Sequence, residues 1–125
     1  MLLKSITKEL AGLKMTKREA RIIFTKGLVE LIRWANQHPN HEVALGEDFD
    51  EAAPKEKRRH RKGSLHYYGL ANDLALYIDG VYQKETEAYH HIGVQWESMN
   101  PLFRWGGRFK TPDGNHFSIS FEGKA

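Results

Sequence analysis

Between Lys17 and Ala35 the apolar residues Ile22, Ile23, Leu28, Leu31, Ile32 and Ala35 recur at helical spacing, while Lys17, Arg18, Arg21, Lys26, Glu30 and Arg33 fill the other face. Thr16-Lys17-Arg18-Glu19 reads as a capping box, which sets the start of this helix, and Asn36 to Asn40 with Pro39 ends it. Leu2, Leu3, Ile6, Leu10 and Leu13 lie near one face of a shorter leading helix, limited by Gly12. Glu42-Val43-Ala44-Leu45 is a short strand stopped by Gly46. From Glu47 to Gly63 periodic apolar content disappears, which predicts a long surface loop with one helical turn around Pro54 to Arg59.

The second half alternates strand and helix signals. Asn72 to Ile78 carries Leu74, Ala75, Leu76 and Ile78 before Asp79-Gly80, a buried strand closed by a turn. Glu85 to Met99 returns to helical spacing through Ala88, Ile92, Gln95, Trp96 and Met99, and stops before Pro101. His116 to Glu122 alternates strictly, with Phe117, Ile119 and Phe121 on one side and His116, Ser118 and Ser120 on the other. Helices first, then strands separated by one helix, predict an α+β fold: N-terminal helices packed on one face of a small antiparallel sheet.

Composition narrows this picture. At 125 residues the chain reads as one domain, residues 1–125, and its 40% hydrophobic content supplies a core without disulfides. The absence of cysteine excludes thiolate chemistry and Cys-ligated zinc, so a metal would be held by His, Asp or Glu. Nineteen Lys and Arg against sixteen Asp and Glu give a net charge of +3, which suits anionic partners without choosing among them. Met1-Leu-Leu-Lys-Ser has too short an apolar stretch for a signal peptide, and no window approaches the ~20 apolar residues of a membrane span. The expectation is a protein made soluble in the cytoplasm.

Seven histidines are many for this length, and two are placed for chemistry. His66 lies in Ser64-Leu-His-Tyr-Tyr-Gly-Leu-Ala-Asn-Asp73, where Gly69 allows a bend. His116 follows the turn Pro112-Asp113-Gly-Asn. Zinc takes N and O donors tetrahedrally, and a catalytic site reserves one position for water; His66, Asp73 and His116 offer three such donors. Asp113, on a turn three residues before His116, is placed to act as general base beside the attacking water. Singly, each feature has an ordinary alternative: His66 as a half-buried residue beside tyrosines, Asp73 as a turn cap, Asp113-Gly114 as a common turn.

Together they resemble a known family. Ser64-Leu-His66-Tyr-Tyr-Gly69-Leu-Ala71-Asn-Asp73 matches all five fixed positions of the Ser-x-His-x-x-Gly-x-Ala-x-Asp signature of the M15 metallopeptidases. Trp105-Gly106-Gly107 and Asp113-Gly-Asn-His116-Phe117 resemble the family's second half. The resemblance implies a Hedgehog/DD-peptidase-like fold and one catalytic zinc ion held by His66, Asp73 and His116, with Asp113 as the base. It also implies hydrolysis of an amide bond in peptidoglycan stem peptides. An L-alanyl-D-glutamate endopeptidase acting as a monomeric phage endolysin, reaching the wall with a holin-type partner, is the first expectation. A D-alanyl-D-alanine carboxypeptidase or dipeptidase is the second.

Ser64 is expected to support the site or touch substrate, with a turn hydroxyl as its alternative. Trp105 is a candidate for the substrate cleft, against a default place in the core. The family usually carries an Arg after the first strand in a Gly-x-Arg context, but here the stretch is Gly46-Glu47-Asp48-Phe49. Arg59 or Arg61, from the long loop, is the candidate replacement in substrate binding. The run Lys57-Arg-Arg-His-Arg-Lys62 would suit nucleic acid, and a non-enzymatic nucleic-acid-binding module is the reading from another class. A solvated loop is preferred, so no nucleic-acid partner is expected. His90 and His91 point about 100° apart on a helix and do not readily share one ion.

Overall fold

The computed structural model describes residues 14–46 and 64–125. The leading helix expected over residues 2–13, the loop expected over 47–63, and Arg59 and Arg61 lie outside the described residues. Helix α1 (Lys17–Asn36) begins where the capping box places it. The Thr16 hydroxyl accepts from the Glu19 amide at 3.1 Å, and the Glu19 carboxylate accepts from the Thr16 amide at 2.9 Å. Its buried stripe is Ala20, Ile23, Phe24, Gly27, Leu31 and Ala35. No helix among the described residues is long and apolar enough to cross a membrane.

Strand β1 (His41–Leu45) pairs antiparallel with β2 (Ala71–Ile78), from His41 opposite Ile78 to Leu45 opposite Leu74. Asp79 (φ 52°) and Gly80 (φ 77°) both adopt left-handed backbone, which makes a two-residue hairpin turn into β3 (Val81–Tyr82). The sequence signalled that turn but not the strand after it. Strands β4 (Phe103–Trp105) and β5 (His116–Ile119) complete the sheet in the order β1-β2-β5-β4, with β3 paired to β2.

Helix α2 (His90–Met99) is shorter than its apolar period suggested, because Thr86–Tyr89 forms a 3-10 turn ahead of it. Tyr89 fixes the junction: its buried hydroxyl accepts from the Leu76 amide at 3.1 Å and donates to the Gln83 carbonyl at 2.9 Å. Burial pushes the Tyr89 phenol up to about 12, so it stays a neutral bridge. The last strand is also shorter than expected and ends at Ile119 rather than Glu122. Glu122 and Gly123 take positive φ and fold Phe121 back to pair with Lys124.

The helices cover one face of the sheet. Side chains directly opposite in an antiparallel pair share a face, so Leu74 and Leu76 of β2, Phe117 and Ile119 of β5, and Phe103 and Trp105 of β4 all point towards the helices. Trp96 of α2 fills the middle. It stacks on Phe103 at 3.8 Å between ring centres and shares its indole N–H between the carbonyls of Arg104 (3.0 Å) and Ser118 (3.1 Å). Asp73 and His116, a paired couple on β2 and β5, point to the other face. The α+β expectation, with helices on one face of a small antiparallel sheet, holds.

Candidate active site

The spacing of the Ser-x-His-x-x-Gly-x-Ala-x-Asp stretch has local physical causes. Ser64 caps a single 3-10 turn, Leu65–Tyr68, its hydroxyl accepting from the His66 amide at 3.2 Å. Leu65 is buried and ties the turn to the core. Gly69 then takes φ +71°, donates to the His66 carbonyl at 3.3 Å and turns the chain into β2; a side chain there would be strained. Ala71 and Asp73 are two residues apart on a strand, so they share a face, and they lie opposite Ser118 and His116. His66 arrives over this pair from the turn.

Three donor atoms converge there. His66 Nε2 is 3.2 Å from His116 Nδ1 and 3.5 Å from Asp73 Oδ1, and one ligand atom from each of the three residues lies within 4.8 Å of the others. The side chains of His66 and Asp73 are only 5% and 8% exposed. Two donors bound at about 2.0–2.1 Å around a tetrahedral ion sit about 3.3 Å apart, so the two short separations suit a common divalent ion. The set is two nitrogens and one oxygen, which favours zinc-like ions over magnesium or calcium.

The turn before β5 carries the fourth group. Asp113 donates its amide to the Gly106 carbonyl at 2.9 Å, and His116 donates to the Asp113 carbonyl at 3.1 Å. Trp105 Nε1 donates to the Gly114 carbonyl at 2.7 Å. Gly106 lets this turn lie close: a β-carbon on it would stand 2.2 Å from the Asp113 carbonyl oxygen and 2.7 Å from His116 Cβ. Gly46 does the same on the far side of Asp73, donating its amide to the Asp73 carbonyl, with space for no β-carbon (2.8 Å to Asp73 Cβ). Asp113 is exposed and lines a cleft of about 920 Å³ with Ser64, His66, Phe109, Lys110 and His116.

A sequence model of an M15 peptidase family, described as D-alanyl-D-alanine carboxypeptidase, matches residues 57–119, half of the chain. The chain belongs to the M15 peptidase family. Among solved structures it is similar to the Serratia marcescens L-Ala D-Glu endopeptidase ChiX. That likeness has 28% identity and a TM-score of 0.54, and it covers 74% of this chain and 77% of the other. No curated protein sequence matches the chain.

In this M15 peptidase the structure brings His66, His116 and Asp113 to one cleft, and Asp73 completes the donor group with the two histidines. Ser64 lines the same cleft, while its hydroxyl serves as the cap of the His66 turn. Trp105 does not line it. Paired with Phe117, Trp105 points to the helix side of the sheet and is 3% exposed, its ring packed against Gly93 and Gly107. It reaches the site only by holding the Gly114 carbonyl, which corrects the expectation of a cleft-lining residue. Arg61 lies outside the described residues.

Sequence reasoning missed the two bracing glycines, Gly46 and Gly106. Trp-Gly-Gly carried Gly106 as a motif letter, but no local pattern says which backbone it must admit. It also missed the cations at the cleft, Lys110 and Lys124. Their positions depend on the turn after β4 and on the C-terminal fold-back, neither of which a periodicity reveals.

Proposed function

We propose that this chain is a zinc peptidase that hydrolyses an amide bond in peptidoglycan stem peptides, the L-alanyl-D-glutamate bond first. The observation that carries the reading is the convergence of the His66, Asp73 and His116 donor atoms in an M15 family member, with His66, His116 and Asp113 lining one open cleft. The likeness to the Serratia L-Ala D-Glu endopeptidase supports the choice of bond. His66 Nε2, His116 Nδ1 and Asp73 Oδ1 would hold the ion. Zinc, when bound, acidifies a water and polarises the scissile carbonyl.

The protein's own groups do the rest. Asp113, on its glycine-held turn, accepts a proton as water oxygen attacks the carbonyl carbon, and returns that proton to the leaving amine as the C–N bond breaks. Lys110 and Lys124 border the cleft and suit the carboxylates of a stem peptide, a role the missing family Arg leaves open. All four site residues come from one chain, so a monomer suffices. A phage lysis role, with a holin-type partner giving access to the wall, belongs to the same reading and rests on the family resemblance. It is checked by comparing lysis of intact cells with lysis of cells whose membrane has been permeabilised.

A second reading has its own support. The matched family is described as D-alanyl-D-alanine carboxypeptidase, and cleft lysines equally suit a terminal carboxylate. Digestion of purified peptidoglycan, with mass identification of the fragments, separates the two: free L-alanine ends mark the endopeptidase, and loss of D-alanine alone marks the carboxypeptidase. Metal analysis of the same sample is expected to find one zinc lost in His66→Ala. Unchanged peptidoglycan with a zinc-loaded protein would overturn both readings.

A further inference from the structure

A second hollow opens on the other side of the donor group. Its volume is about 390 Å³, and its walls include Ala44, Gly46, Asp73, Ala75, Tyr77 and Tyr82. These residues come from β1, β2 and β3 and from Gly46 just after β1, whereas the catalytic cleft is lined from the His66 turn, the turn before β5 and the chain end. Asp73 and His116 stand opposite each other, so the two hollows flank the donor group, one from the β2 side and one from the β5 side.

The strand register gives this hollow its shape. Asp73, Ala75 and Tyr77 alternate along β2 and share the face away from the helices. Gly46 donates its amide to the Asp73 carbonyl, Ala44 lies opposite Ala75, and Tyr82 lies opposite Tyr77. Beyond Asp73 the floor is therefore low, and it ends at two tyrosine rings whose centres are 5.5 Å apart. Tyr82 is exposed and Tyr77 half-buried, so both rings can meet a ligand.

Charge separates the two hollows. Lys110 and Lys124 line the cleft, but no lysine or arginine lines the second hollow, and Glu42, opposite Tyr77, puts an exposed carboxylate on the same face. Carboxylates are favoured on one side of the donor group and disfavoured on the other. The substrate of the proposed reaction has the same asymmetry. The arm after the L-alanyl-D-glutamate bond carries the carboxylates. The arm before it carries none: L-alanine, a lactyl ether and the N-acetylmuramyl sugar.

Reach agrees with charge. Tyr77 is four residues beyond Asp73 on a strand, about 13 Å at about 3.3 Å per residue. Alanine and the lactyl group span about 7 Å, and a pyranose ring of about 5 Å then ends close to the tyrosines. For a bond at the far end of a five-residue stem, about 17 Å of chain would precede the sugar and carry it past the pair. A pyranose has an apolar C–H face and a polar rim, which suits rings that combine an apolar face with a hydroxyl tip.

We propose that Tyr77 and Tyr82 form a sugar subsite that takes the N-acetylmuramyl ring preceding L-alanine, a role that rests on the peptidoglycan reading above. The subsite fixes the direction of the substrate, with the sugar over β2 and β3 and the D-glutamate arm over Lys110 and Lys124. It makes a stem still attached to its glycan the preferred substrate.

The test is a pair of binding titrations on the zinc-saturated full chain, followed by calorimetry. One probe is N-acetylmuramyl-L-alanine, and the other is lactyl-L-alanine, which lacks the sugar and ends short of the tyrosines. Wild type should bind the sugar-bearing probe at least tenfold more tightly. Tyr82→Ala and Tyr77→Leu should each reduce that ratio at least threefold. Tyr82 is exposed, so its variant answers the question should Tyr77→Leu unfold. Equal affinities in wild type, no measurable binding of the sugar-bearing probe, or a preference that survives Tyr82→Ala overturns the proposal. Hydrolysis of free stem peptide by wild type tests the peptidase reading separately. Turnover without a sugar preference refutes the subsite alone, and a tyrosine-dependent sugar preference without turnover refutes the peptidase reading alone.

Discussion

Replacing Gly106 by alanine isolates what the glycine contributes to the active-site turn. The new β-carbon would stand 2.2 Å from the Asp113 carbonyl oxygen and 2.7 Å from His116 Cβ, where ordinary contact begins at 3.4 Å. Relief requires the turn to move by about 1.2 Å, the difference between 3.4 and 2.2 Å. The obstructing atoms cannot swing aside: one is backbone, held in place by the Asp113 amide bonded to Gly106 itself. Overpacking of this kind costs about 1–3 kcal/mol. A displacement of about 1 Å at a reacting group costs about 10²-fold in rate, so kcat/KM should fall far more than stability alone explains. Gly80→Ala is the control. Gly80 has a positive φ, 77°, which Gly106 does not, but its β-carbon would meet nothing within 4 Å, so it should lose about 1 kcal/mol of stability and keep its activity. Turnover of purified stem peptides and urea unfolding, both with excess zinc, measure the two quantities. Gly106→Ala with turnover within about threefold of wild type would refute the claim that this contact positions Asp113 and His116.

Asp113→Asn keeps the turn and removes the base, so kcat should fall by about 10²–10⁴-fold while metal analysis still finds the full zinc content; retained turnover would remove Asp113 from the mechanism. Trp105→Phe strips the donor from the Gly114 carbonyl, at a cost of about 1–3 kcal/mol for an unsatisfied buried acceptor. If Trp105 only positions the turn, kcat drops with little change in KM, and a rise in KM alone would restore a substrate contact. His91 gives a pH signature. Its folded pKa is depressed, so below the ordinary 6.5 the unfolded chain binds the extra proton first. The stability present above pH 6.5 is therefore lost as the pH falls towards the folded pKa. In chelator-treated protein, urea midpoints of wild type should drop more steeply below pH 6.5 than those of His91→Asn. Parallel curves would mean that neither burial nor the neighbouring His41, His38 and His90 disfavours its charge.

What the sequence made legible was whatever its chemistry expresses locally. Thr16 and Glu19 announce a helix start because both halves of the box lie within one turn. Asp79-Gly80 announces a reversal because both positions need left-handed backbone. The His66 to Asp73 stretch was readable because a capping serine, a left-handed glycine and two strand residues of one face leave a fixed spacing. Its completion by His116 needed the family resemblance, since no local rule pairs residue 73 with residue 116. Trp105 was misplaced for the same reason. Which face of β4 it occupies depends on its register with Phe117, and a one-residue slip would have put it on the metal side. The early end of the final strand follows from its partner β4, which begins only at Phe103, and from a fold-back that the alternation of Phe117, Ile119 and Phe121 does not foretell.

Asp73 and His116 are a paired couple on β2 and β5, so an ion bound there would depend on that ladder and reinforce it. The other half of β2, from Leu74 to Ile78, pairs with β1 on the opposite edge. Leu74 and Leu76 in that half are buried against the helices, so the strand that presents Asp73 is anchored by packing that no ion supplies. Chelation should therefore lower the urea midpoint without unfolding the protein, because an ion that binds only the folded chain adds to a stability already present. A chain that unfolds outright when its metal is removed would show that the ladder, and not the packing behind it, holds β2 in place.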